Sequence, residues 1–187
     1  MGSKRIFLGI PVRVNISTMV EMIQTTVDAP YGDIKWVYGK NLHFTLAFLG
    51  NVEEIQINEI SQSLEELNFG SPFNCVLSHT GVFPNADEPR VFWLGIDKGK
   101  DRIIGIVDQL NNMLKKLKLP IEKKLFIPHI TIGRVKNKEN LWKIATNTYL
   151  NAVFSPTLFP VNSVHLYQSE LTQQGVKFTT IVSSNLQ

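Results

Sequence analysis

Two short stretches of this chain carry a histidine and a threonine two residues apart, with apolar residues between and after: His43-Phe44-Thr45-Leu46 and His129-Ile130-Thr131-Ile132. Both lie in apolar runs, LHFTLAFL (Leu42–Leu49) and FIPHITIGRV (Phe126–Val135), that read as strands. Side chains alternate across a strand, so His43 and Thr45 share one face, and Phe44, Leu46 and Phe48 take the other, the natural core face. The same parity pairs His129 with Thr131 and buries Ile130 and Ile132. An imidazole that titrates near neutrality serves as acid or base. Two of them flanking a phosphodiester can deprotonate a water on one side and protonate the leaving oxygen on the other. The hydroxyls can meet the charge that builds on the non-bridging oxygens. A strained cyclic phosphate asks for no metal in such a scheme. A lone His-x-Thr on a strand is most simply structural. Two such motifs among four histidines arise by chance about once in a thousand with positions independent, and about tenfold more often once strand composition is allowed for.

The elements that must hold these residues follow from periodicity. Arg5–Val12 reads as a strand, and Ile16, Met19, Val20, Ile23 and Val27 recur at helical spacing. A short apolar run at Trp36–Tyr38 precedes the turn Gly39-Lys40-Asn41. Glu53–Leu67 is predicted helical, Phe73–His79 a strand, Phe83–Arg90 a loop and Val91–Asp97 a strand. Asp101–Leu117 carries the clearest helical stripe, stopped by Pro120. A short helix is expected over Lys138–Thr148, then final strands at Val161–Gln168 and Val176–Ser183. Hairpin-like strand pairs mixed with helices, without strict βαβ alternation, point to an α+β fold with a mainly antiparallel sheet.

Composition bounds the function. The 187 residues are 43% hydrophobic and 19% charged, enough for one domain with a real core. No apolar run reaches membrane-spanning length, and the N-terminal FLGIPV is too short for a secretory signal. The lone Cys75 allows no intrachain disulfide and no cysteine-based zinc site, which suits a reducing cytoplasm. A net charge of +3 permits an anionic substrate but is too small for bulk nucleic-acid binding. The lysines of Leu114–Lys124 read as the basic end of a helix before they read as a phosphate patch.

The other candidates carry weaker signals. Phe48, at core parity, is expected in the core rather than stacked on a base. His79, beside Thr80 and Gly81, reads as a strand-end surface residue. His165, at strand spacing from Tyr167, reads as structural. Arg90 follows a proline in a loop and reads as a surface ion-pair former before an RNA contact. No close set of His, Asp and Glu suggests a metal.

The chain resembles the 2H phosphoesterases, and among them the bacterial and archaeal RNA 2′,3′-cyclic phosphodiesterases, also called 2′–5′ RNA ligases. The resemblance runs nearly end to end, through RIFLGIPV (Arg5–Val12), NLHFTLAFLGNV (Asn41–Val52), GVFPNADEPRVFWLGID (Gly81–Asp97), FIPHITIGRVK (Phe126–Lys136) and VNSVHLYQSELTQQGVKFTTI (Val161–Ile181). It implies a single bilobal domain over 1–187, with two pseudo-symmetric lobes, each an antiparallel sheet with outer helices, around a cleft with one motif on each wall. It implies hydrolysis of 2′,3′-cyclic phosphate RNA ends to 2′-phosphates, without a cofactor or metal, and possible reverse 2′–5′ ligation. His43 would be the proton donor, His129 the acceptor, and Thr45 and Thr131 the phosphate binders. Arg134 matches an arginine that follows the second motif in similar sequences. Strict alternation sends Arg134 to the opposite face from His129; a bulge at Gly133 would re-aim it, and a solvated arginine at a strand end is the other reading. The expected partner is RNA with a cyclic phosphate end, or a small nucleotide, met by a monomer. Two alternatives share the motifs: the same scaffold acting on 2′–5′ oligoadenylates or small cyclic nucleotide phosphates, and a non-catalytic RNA- or nucleotide-binding module.

Overall fold

Alternation in the first strand, β1 (Lys4–Pro11), buries Ile6, Leu8 and Ile10 and leaves Arg5, Phe7 and Gly9 on the opposite side. The computed structural model describes residues 2–12, 14–28, 34–122, 124–136, 142–173 and 175–187. After β1 come α1 (Val14–Asp28), β2 (Ile34–Trp36), a 3-10 turn (Gly39–Asn41) and β3 (His43–Val52). Next are α2 (Glu54–Glu66), β4 (Phe73–Phe83), β5 (Val91–Ile96) and α3 (Lys100–Lys116). The chain closes with β6 (His129–Val135), α4 (Trp142–Leu150), β7 (Thr157–Val161), β8 (Ser163–Thr172) and β9 (Gly175–Asn185). Glu53 and Gln56 close a capping box at the start of α2. Lys115 and Lys116 occupy the last turn of α3, as a helix dipole favours.

The strands form one antiparallel sheet in the order β7-β4-β5-β6-β3-β1-β8-β9, with β2 paired to β6. The expected α+β architecture is therefore present. One lobe comprises β3, β1, β8 and β9; the other comprises β7, β4, β5 and β6. They meet where Phe44 of β3 opposes Ile130 of β6. Helices cover one side. Ile16, Val20, Ile23, Ile57, Ile60, Leu64, Ile103, Ile106 and Leu110 enter a single core with Phe44, Leu94, Ile130 and Leu166. Gln24 of α1 is buried and donates from Nε2 to the carbonyls of Val37 and Ile132, at 2.8 and 3.0 Å, tying α1 to the backbone beneath the second motif.

Several element boundaries differ from the sequence reading. β7 was not expected, because TLFPV contains Pro160; it pairs only with β4, and a sheet edge tolerates the missing N–H. β6 begins at His129 rather than Phe126, since Pro128 cannot donate to a ladder. β4 runs on to Phe83, so His79 is mid-strand rather than at a strand end. Of the helix expected over Lys138–Thr148, α4 supplies the part from Trp142; residues 138–141 lie outside those described.

Candidate active site

The two motif strands position their polar pairs through bulges. Along β3, Gly9 opposes Thr45 and Leu8 opposes Ala47, so Leu46 is an extra residue; Phe7 then opposes Phe48 and Ile6 opposes Gly50, so Leu49 is a second. Each extra residue resets which side faces the core. Phe44 and Leu46 are buried before the first reset, and Leu49 and Val52 after the second. Phe48 is thereby turned outward and is 51% exposed, which corrects its core assignment. On β6, Thr131 opposes Trp93 and Gly133 opposes Phe92, leaving Ile132 as the extra residue. That irregularity turns Arg134 to the same side as His129. Gly133 is needed there because a Cβ would lie 2.6 Å from Cε3 of Trp36.

Thr45, Phe48, Arg90, His129, Thr131 and Arg134 line one cavity of about 600 Å³. His43, two residues before Thr45 on β3, is not itself among the lining residues, but its charge feels those of His129 and Arg134. Arg90, expected in a surface ion pair, forms none among the described residues and faces this cavity instead.

The two imidazoles are held alike. Nδ1 of His43 lies 2.8 Å from the carbonyl oxygen of Asn41, and Nδ1 of His129 lies 2.6 Å from that of Ile127. A carbonyl only accepts, so each Nδ1 carries a hydrogen and each Nε2 is left for chemistry. Aromatic rings brace both: Phe7 and Phe178 stand 4.8 and 4.7 Å from the His43 ring, and Phe83 and Trp93 stand 5.0 and 5.9 Å from the His129 ring. Burial is the main cause that holds both histidines below the usual imidazole range. The backbone carbonyls pull the other way, and the Arg134 cation adds to the lowering. The pair is not electrically identical, because the carboxylate of Glu122 raises His129 while His129 itself lowers His43. Arg134 is lowered by burial and by Arg5, which lies on the Phe7 side of β1.

The remaining histidines do not line the cavity. Nδ1 of His79 is 3.2 Å from Asp97, which also accepts from Ser78. His165 meets the Ser163 hydroxyl at 2.8 Å and stacks on Tyr167. Sequence reading missed Phe7, whose parity with Gly9 could have revealed it, and Phe178, whose place beside His43 depends on the distant strand β9. It also missed Glu122, which sits in an aperiodic connection between Pro120 and Pro128. Among the described residues no three His, Cys, Asp or Glu side chains gather as a metal-ligand set. Among the same residues no helix is long and apolar enough to cross a membrane.

The chain is similar to known proteins in sequence and in fold. A family model described as LigT-like phosphoesterase matches residues 10–93 and again 94–178. The RNA 2′,3′-cyclic phosphodiesterase of Thermotoga maritima is 35% identical over 173 residues, covering 91% of this chain and 89% of that protein. The RNA 2′,3′-cyclic phosphodiesterase of Aquifex aeolicus is 32% identical over 181 residues, covering 95% and 94%. The crystal structure of TT0787 of Thermus thermophilus superposes with a TM-score of 0.79 at 27% identity, covering 97% of each chain.

Proposed function

This chain belongs to the LigT-like phosphoesterase family, and from that footing we propose that it opens RNA 2′,3′-cyclic phosphate ends by two-histidine acid–base catalysis. It is a cyclic phosphodiesterase. Water adds to phosphorus, the bond from phosphorus to the ribose 3′ oxygen breaks, and a 2′-phosphate and a 3′-hydroxyl result. One Nε2 takes the proton of the attacking water; the other gives a proton to the departing oxygen. Thr45 and Thr131 donate to the non-bridging oxygens, and Arg134 meets their charge. Following the family pattern, His43 is the donor and His129 the acceptor. With an RNA 5′-hydroxyl in place of water the same groups would form a 2′–5′ linkage: one histidine takes the hydroxyl proton, the bond from phosphorus to the 3′ oxygen breaks, and the other histidine protonates that oxygen.

The observation that supports this reading most is the matched pair of Nδ1 contacts to backbone carbonyls. They fix one tautomer in both rings and leave two Nε2 atoms, each with a threonine two residues on, at one cleft. Both histidines favour the neutral form in the free protein. That suits the base at once; the acid acquires its proton when the anionic phosphate arrives and stabilises an imidazolium beside it. We read the chain as one bilobal domain, supported by the continuous sheet, and as a cytoplasmic monomer. The deciding experiment incubates the protein with RNA ending in a 2′,3′-cyclic phosphate, with EDTA present, and identifies the end group. A 2′-phosphate is expected; an unchanged ring, or activity that appears only when a divalent ion is restored, would refute the mechanism.

A further inference from the structure

His79 of β4, Gly95 of β5 and His129 of β6 stand in one row across the second lobe, Gly95 being the direct partner of both histidines. Directly opposed residues point to the same side of an antiparallel sheet, so His79 shares the cleft face with His129. Its imidazole leans back across β5: Nε2 lies 2.1 Å from the point where a Cβ on Gly95 would stand. That point is one strand spacing from His129, about 5 Å. Trp93, the neighbouring cleft-facing residue of β5, stands edge-on to both imidazoles, with ring centres 5.8 Å from His79 and 5.9 Å from His129. Beyond His129 the cleft face thus continues as a shelf of Trp93 and His79, outside the cavity and joined to it across Phe83.

Asp97 gives this shelf its chemistry. Nδ1 of His79 donates to its carboxylate at 3.2 Å, and the Ser78 hydroxyl donates to it as well. Nδ1 is therefore committed, while Nε2 has no hydrogen-bond partner among the described residues. The His79 and Asp97 side chains are 46% and 63% exposed, and so open a pair adds little to stability. The first lobe has no counterpart. His165 stands across Gly9 from Thr45, but its Nε2 meets Ser163, its Nδ1 is buried and its ring stacks on Tyr167. An oriented imidazole with an open Nε2 is found beside His129 and not beside His43.

In an in-line displacement at phosphorus the attacking oxygen enters opposite the leaving one. With His43 at the leaving 3′ oxygen and His129 at the nucleophile, whatever carries the nucleophile lies on the far side of His129 from His43. In the sheet order that side is β5 and β4, where the shelf stands. Water needs no shelf. An RNA 5′-hydroxyl arrives with a ribose and a base attached, and the step from His129 to Nε2 of His79 is about the reach of one ribose. The 2′-hydroxyl can donate to an open imidazole nitrogen, and a base can lie against Trp93.

We propose that the shelf of Trp93 and His79 binds the first nucleoside of an acceptor strand, an RNA 5′-hydroxyl end, with its 2′-hydroxyl on Nε2 of His79. The bond from the 5′ oxygen to phosphorus forms as the bond from phosphorus to the 3′ oxygen breaks; His129 takes the hydroxyl proton and His43 protonates the 3′ oxygen. The inference rests on the two-histidine phosphodiesterase reading.

The test supplies RNA ending in a 2′,3′-cyclic phosphate with a graded excess of 5′-hydroxyl RNA, and counts joined against hydrolysed ends. His79→Ala should lower the ratio of joined to hydrolysed ends about 3- to 10-fold, the worth of one hydrogen bond, through a higher KM for the acceptor and not for the cyclic end. An acceptor whose first nucleotide is 2′-deoxy should show the same loss with the parent protein, and His79→Ala should cost it nothing further. Equal ratios for parent and His79→Ala, or hydrolysis with no joining at any acceptor concentration, would overturn the site and leave the phosphodiesterase reading standing. Absence of hydrolysis by the parent would strike the catalytic reading instead. The shelf is then decided by titrating 5′-hydroxyl RNA against the 15N signals of the His79 ring: a change at Nε2 is expected, and an unmoved signal overturns the assignment.

Discussion

Phe44 and Ile130, the residues between histidine and threonine in the two motifs, lie directly opposite each other and are fully buried. The contact that joins the lobes thus sits midway between the four polar groups. Whatever moves this rung moves both pairs relative to each other. Phe44→Ala should cost about 3–5 kcal/mol of stability by opening a cavity. Any surviving folded protein should also lose kcat, because the reacting groups need placement to a fraction of an ångström. Phe44→Leu should keep most of both. Denaturant unfolding and steady-state kinetics on the same preparations check this; normal kcat in folded Phe44→Ala would show that the rung does not position the motifs.

His43→Ala and His129→Ala should each lower kcat by about 10²–10⁴ with little loss of stability, since both rings border the cleft. A nitrophenyl diester, whose leaving group departs without a proton, should restore His43→Ala relative to its defect on the cyclic phosphate. His129→Ala should gain nothing, because its water still needs a base. Rescue of His129→Ala alone would reverse the two roles.

Stability should fall on the acid side. Both histidines are lowered in the folded chain, chiefly by burial, so the unfolded chain binds protons more readily. Their contribution is complete above the unfolded value of about 6.5 and declines as pH drops through it toward the folded values. Urea midpoints measured at neutral and at mildly acidic pH should differ more in the parent than in a His43→Asn, His129→Asn double variant. An equal difference would place the acid sensitivity elsewhere.

Glu122 raises His129 through its charge. Glu122→Gln should therefore move the acidic limb of the kcat/KM profile to lower pH, with the alkaline arm less affected. The two limbs belong to the coupled pair, so the shift rather than either absolute value is the readout. A profile that does not move would show that Glu122 has no electrical part in the site.

Gly133→Ala should force Trp36 aside, because the added methyl would stand 2.6 Å from its Cε3. A stability loss of about 1–3 kcal/mol is expected, typical of overpacking. KM should rise as Arg134 loses its aim. Loss of stability with unchanged KM would separate the bulge from phosphate binding.

Most of the fold was legible from periodicity, and the motif faces from alternation alone. The exceptions share a physical cause. Phe48 and Arg134 each follow an inserted residue, at Leu46 and Ile132, and an insertion inverts parity without leaving a mark in composition. Gly133 offered a hint for Arg134; β3 offered none for Phe48. Pro160 hid β7, because a proline excludes only a central strand and the edge is a property of the whole sheet. Phe178 and Glu122 reach the histidines through tertiary packing, which no local pattern encodes.

The sheet order places β1, which precedes both motifs in sequence, between β3 and β8, and β8 begins only at Ser163. Translation thus delivers both histidine motifs well before the strands that complete the wall beside the first. A nascent chain can expose His43 and His129, yet Phe178, which braces the His43 ring, has still to emerge. Folding of that lobe must wait for β1 to pair with β8, a long separation in sequence that slows folding. The two segments that carry the acid and the base therefore do not make a working centre by themselves; the wall that braces one of them is supplied by strands that come later in the chain.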